Sequence, residues 1–129
     1  MAYTLANDYY KDLMSDLLAT EEFNYILQAG LSVVVLASDK EKKAGSSKKV
    51  LGDCGIVPEK WKPFCPYDFA ITIYEPNCCG LSEQQMRTVM RHEMLHVGIN
   101  EKGKPFVRPH DIEDFWEIIE SEGLHWAES

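Results

Sequence analysis

Ser82-Glu-Gln-Gln-Met-Arg-Thr-Val-Met-Arg-His-Glu-Met-Leu-His-Val-Gly-Ile-Asn100 is the stretch on which the reading of this chain turns. Its start carries a helix signal. Ser82 is an N-cap residue, and Gln85 stands three positions later, where a capping-box partner belongs. Extended as a helix over 83–99, the stretch sorts its residues by side. Gln84, Arg87, Arg91 and Gly98 fall on a narrow polar strip, and Met86, Met90, Met94 and Val97 form an apolar side. Val89, Leu95 and Ile99 flank His92 and His96. The two histidines are four residues apart and so project from one face. Glu93 lies among apolar neighbours as well. Three polar side chains in such surroundings are costly unless something satisfies them, and a divalent cation would do so.

The residue types fit that role. Neutral imidazole is a good zinc ligand that leaves the ion Lewis-acidic. A carboxylate beside a bound water can take its proton. His92-Glu93-Met94-Leu95-His96 is therefore an HExxH arrangement, with His92 and His96 as candidate ligands of Zn²⁺ and Glu93 as candidate general base. A catalytic zinc keeps three protein ligands and an open position, so a third ligand must come from elsewhere. A continuation with glycine at 99 and histidine at 102 fails, because the chain has Ile99 and Lys102. Further on, Ile112, Phe115, Trp116 and Ile119 repeat at helical spacing, which places His110 at the entrance of a C-terminal amphipathic helix. His110 is a candidate third ligand. Asp111, Asp114 and Glu117 are its rivals, with His125 a more distant one. Asp111 and Asp114 also suit helix capping, and Asp114 could accept the other ring N–H of a ligand.

Upstream, the chain alternates short elements. Tyr9, Tyr10, Leu13, Met14, Leu17 and Leu18 repeat at helical spacing behind a cap at Asn7 or Asp8. A second helix starts near Thr20 and stops at Gly30. Residues 31–37 and 50–57 suit strands, and 68–75 alternates most clearly, with Phe69, Ile71 and Ile73 on one face. Lysine-rich residues 38–49 read as an exposed hairpin loop. Residues 58–67, broken by Pro58, Pro63 and Pro66, read as ordered loop, and so do residues 103–109. The expectation is one α+β domain over 1–129, with N-terminal helices, a short sheet of about three strands, the HExxH helix and a C-terminal helix.

Composition narrows the partners. The 129 residues are 45% hydrophobic and carry a net charge of −8, which argues against nucleic acid, since phosphate neutralisation needs a basic surface. No run reaches the length of a membrane span, and the first twenty residues do not read as an export signal. The expected location is cytoplasmic, with Cys54, Cys65, Cys78 and Cys79 as free thiols. Without a CxxC, a second zinc site at Cys65, Cys78 and Cys79 is not expected.

HEMLHVG followed by PHDIEDFW, with Gly123 and Trp126 nearby, resembles the phage metallopeptidase family, and more distantly the SprT-like and YgjP-like small zincins. The likeness extends back through residues 68–75. It implies a zincin-like fold with His92, His96 and His110 as zinc ligands and Glu93 as general base. It also implies a peptide or protein substrate paired to an edge strand beside the active-site helix, with 68–75 as that strand. Tyr74 and Arg108 are then candidates to assist the oxyanion. The alternative is a zinc-binding interaction or regulatory module of phage or prophage origin without catalysis.

Overall fold

The computed structural model describes residues 3–5, 8–44 and 48–109. The expected C-terminal helix, with His110, Asp111, Asp114, Glu117 and His125, lies outside the described residues. In chain order the elements are β1 (Tyr3–Leu5), α1 (Asp8–Leu18), α2 (Asn24–Gln28), β2 (Val33–Ser38), β3 (Lys43–Ala44), β4 (Lys48–Lys49), β5 (Gly52–Ile56), a 3₁₀ turn (Glu59–Trp61), β6 (Phe69–Tyr74), α3 (Glu75–Cys78), α4 (Glu83–Met94), β7 (Val97–Ile99) and β8 (Pro105–Val107). The described part is thus α+β. Its main sheet is mixed and four-stranded, in the order β1-β2-β6-β5, and two small hairpins, β3-β4 and β7-β8, stand beside it.

Alternation along β2 and β6 builds the core. Side chains two residues apart share a face. Val33, Val35 and Ala37 of β2 and Phe69, Ile71 and Ile73 of β6 join Tyr10 and Leu17 of α1, Ile26 of α2 and Met86, Val89, Met90 and Met94 of α4 in one buried cluster. Phe69, Ile71 and Ile73 are fully buried, and each contributes about 1.5–3 kcal/mol through the hydrophobic effect. Val33 pairs in parallel with Phe69, so the two apolar sets lie in register and present one surface to the helices.

Three expectations change. β6 is not an edge: it pairs in parallel with β2 and antiparallel with β5, and the edge on this side is β5. The signal was in the residues. Phe-Ala-Ile-Thr-Ile-Tyr carries no charge, as befits a strand flanked on both sides, whereas β5 carries Asp53. Second, the helix of 83–99 ends early. α4 stops at Met94, and residues 97–99 form a strand with 105–107, which are therefore not all loop. Asn100 makes that hairpin possible: its side-chain oxygen accepts from the N–H groups of Lys102 and Lys104, both at 2.9 Å, and Gly103 takes a positive φ of 79°. Third, residues 38–49 contain the β3-β4 pair. The amide of Asn77, in α3, closes the base of that hairpin by donating to the carbonyls of Lys42 and Val50, both at 2.8 Å.

Candidate metal centre

The start of α4 is locally fixed. Gln85 donates its backbone N–H to the Ser82 hydroxyl at 3.1 Å, and the Gln85 side chain accepts from the Ser82 N–H at 2.9 Å, completing the expected capping box. From there the helix buries Met86, Val89, Met90 and Met94 against the sheet. Arg91, on the expected polar strip, is half-buried and grips Glu22 through two bonds of 2.8 and 3.0 Å.

His92 and Glu93 stand on the last turn of α4, and His96 on the turn beyond it. The turn tightens as it ends. Leu95 N–H still reaches the Arg91 carbonyl at 3.0 Å, but His96 N–H goes to the Glu93 carbonyl at 3.1 Å, a 3₁₀-type closure. The histidine rings stay together all the same, with centroids 5.3 Å apart and planes at 71°. Candidate ligand atoms of His92, Glu93 and His96 lie within 4.8 Å of one another. Glu93 is buried and the two histidines are half-buried.

His96 is held from outside the helix. Its backbone carbonyl accepts from the Arg108 N–H at 2.7 Å, and its ring Nδ1 meets the Arg108 carbonyl at 2.7 Å. A carbonyl only accepts, so Nδ1 carries the proton, and Nε2 is the ring nitrogen that could ligate a cation. Backbone carbonyls fix metal-binding histidines in this way. The next residue is tied as well: the Tyr25 hydroxyl donates to the Val97 carbonyl at 2.5 Å.

Glu93 is backed by the edge strand. A Cβ built on Gly52 would lie 2.9 Å from the Thr72 carbonyl oxygen, 3.3 Å from Glu93 Cγ and 3.5 Å from Glu93 Oε2, so only glycine allows β5 to lie this close. Cys54 shares that face of β5. Burial, then the negative charges of Glu93 and Asp53, pushes its thiol up from the usual range. Burial also pushes the Cys78 thiol up to about 11, with Glu75 and Glu93 adding to it. All four cysteines are unbridged, as expected. Both shifts favour the neutral thiol at neutral pH.

Tyr74 is not at this centre. It pairs with Ser38 on β2, on the sheet face opposite Ile71 and Ile73, and its hydroxyl donates to Asp53 at 2.7 Å. The Lys42 ammonium also reaches that carboxylate at 2.7 Å. Arg108 is at the centre, through its main chain. Gly52 and Tyr25 had been missed as site residues. For Gly52 a signal existed, since a glycine in a strand marks close approach by another group. Tyr25 contacts a residue 72 positions away, which no local pattern reports.

Two imidazoles and a carboxylate gathered at the end of a helix, with one imidazole oriented by a backbone carbonyl at Nδ1, fit a divalent metal ion. The fold and the group together define a metal-centre candidate in a small α+β protein. Residues 2–128 match the model of the family described as "Putative phage metallopeptidase", and the chain belongs to that family. No curated protein and no solved structure matches it.

Proposed function

We propose that the protein is a zinc-dependent peptidase. The observation that carries this reading is the His92, Glu93 and His96 group, with its ligand atoms within 4.8 Å of one another and His96 Nδ1 committed to the Arg108 carbonyl. His92 and His96 would hold the ion through ring nitrogens. His110 is the proposed third ligand. It stands two positions after Arg108, a reach of at most about 7 Å of chain, and Arg108 is bonded to His96 through its N–H and its carbonyl.

When bound, zinc acidifies a water and polarises the scissile carbonyl. Glu93 is the proton carrier. Its carboxylate sits between α4 and the Gly52 backbone, accepts the proton of the attacking water and returns it to the leaving amine nitrogen. Its burial keeps bulk water from competing for that proton. The substrate backbone would align along β5, which among the described residues pairs only with β6. β8 also approaches β5 without pairing to it.

The test is metal content together with cleavage of an unfolded, carboxymethylated protein by the zinc-loaded wild type and by Glu93→Gln. The expected result is one zinc in each and cleavage by the wild type alone. Zinc bound by both with no cleavage by either would instead assign a non-catalytic zinc module.

A further inference from the structure

The strand that backs Glu93 runs directly into the most conspicuous apolar surface among the described residues. Phe64 is 84% exposed, Trp61 53%, Ile56 47% and Tyr67 37%, and all four lie at the end of β5 or in the loop that follows it. Single exposed apolar residues are ordinary. Here, however, the loop is built to hold them. Pro58, Pro63 and Pro66 restrict the backbone. Trp61 N–H donates to the Pro58 carbonyl at 2.9 Å, and the N–H groups of Phe64 and Cys65 both donate to the Trp61 carbonyl at 2.9 Å. Lys62 pairs with Asp68 at 3.2 Å, and Asp68 in turn accepts from the Ser32 N–H at 2.9 Å. Burial opposes ionisation of Asp68, but the Ser32 and Lys62 hydrogen bonds outweigh it and hold the carboxyl below its ordinary range, so the anchor is charged at neutral pH. The Trp61 and Phe64 rings stand 6.5 Å apart. Two aromatic rings fixed beside each other on a stiffened loop can bind with little further loss of freedom.

Register connects this patch to the metal centre. Gly52, Cys54 and Ile56 share the face of β5 that Glu93 touches at Gly52. From Gly52 to Ile56 is four residues, about 13 Å of strand at about 3.3 Å per residue. A peptide paired along β5 advances by the same rise and so reaches the loop after the same number of residues. We propose that Ile56, Trp61 and Phe64 form a subsite for an apolar side chain of an extended polypeptide substrate, about four residues to one side of the bond cleaved beside Glu93. This rests on the peptidase reading. It also names a substrate class. A segment that is both extended and apolar is inside a folded protein, so the substrates are unfolded or partly unfolded chains.

The test uses zinc-loaded protein and a mixture of decapeptides with randomised residues, cleavage points being read by mass spectrometry. The expected result is enrichment of Phe, Leu, Ile and Trp three to five residues from the cleaved bond, on one side only. Phe64→Ser and, separately, Trp61→Ser should flatten that enrichment several-fold, while a tetrapeptide too short to reach the loop is cut as fast as by wild type. Equal cutting of the tetrapeptide also shows that each variant is folded. Cleavage with no preference at that distance, a preference unchanged in both variants, or a Phe64-dependent dimer in sedimentation would overturn the subsite. Failure of the wild type to cut any peptide would instead overturn the peptidase reading beneath it.

Discussion

The two histidines of the centre are held in different ways. His92 lies inside α4, whose start is closed by the Ser82–Gln85 box and whose apolar side is buried against the sheet. His96 lies past the end of that helix, where main-chain bonds to Arg108 and the Tyr25 bond at Val97 hold it from other parts of the chain. HExxH is usually pictured as one helical face. Here it is half helix and half tertiary clamp, so damage at a distance should reach the second ligand before the first.

The largest expected effect tests the residue between them. Glu93→Gln removes the base without altering either clamp, so cleavage should fall on the order of 10²- to 10⁴-fold while zinc content and thermal stability stay near wild type. Steady-state cleavage and metal analysis decide it. Next comes the hairpin. A Cβ on Gly98 would lie 2.9 Å from two atoms of the Phe106 ring and 3.1 Å from the Phe106 carbonyl oxygen. Gly98→Ala should displace β8 and with it Arg108, weakening zinc binding on the order of 10- to 100-fold, as loss of a ligand's supporting contacts does. Chelator competition measures the affinity. Circular dichroism should show α4 retained, and loss of that helix signal would mean that the two halves are not separable.

Tyr25→Phe is a gentler version of the same break. It removes one hydroxyl and leaves the Val97 carbonyl without that donor, so zinc affinity should fall by a factor of about five, the equivalent of one net hydrogen bond of about 1 kcal/mol. An unchanged affinity with a lowered melting temperature would make Tyr25 a packing residue only. The smallest effect on the metal comes from the other end of the helix. Ser82→Ala should cost about 1 kcal/mol of folding stability in urea denaturation and leave zinc affinity as it was.

That contrast also explains what could be read from the chain. The capping box, the core side of α4, β2 and β6 depend on neighbours in sequence, and their periods show them. Val97-Gly98-Ile99 does not. Its apolar residues continue a helical wheel as well as they fill a strand, and only pairing with residues 105–107 decides between the two. Sheet order is likewise a long-range property: the family resemblance implied residues 68–75 as the edge, and β5 takes that place. At the centre, His92, Glu93 and His96 were legible because their chemistry is compressed into five residues. The Arg108 carbonyl, the Tyr25 hydroxyl and the bare face of Gly52 were not, since each acts through a contact that exists only after folding.

Diffraction from zinc-loaded crystals at the zinc absorption edge tests the account most directly. The prediction is a single anomalous peak bonded to His92 and to Nε2 of His96, with His96 Nδ1 still on the Arg108 carbonyl and one coordination position open to water. A peak away from these residues, or one closed by four protein side chains, would contradict it.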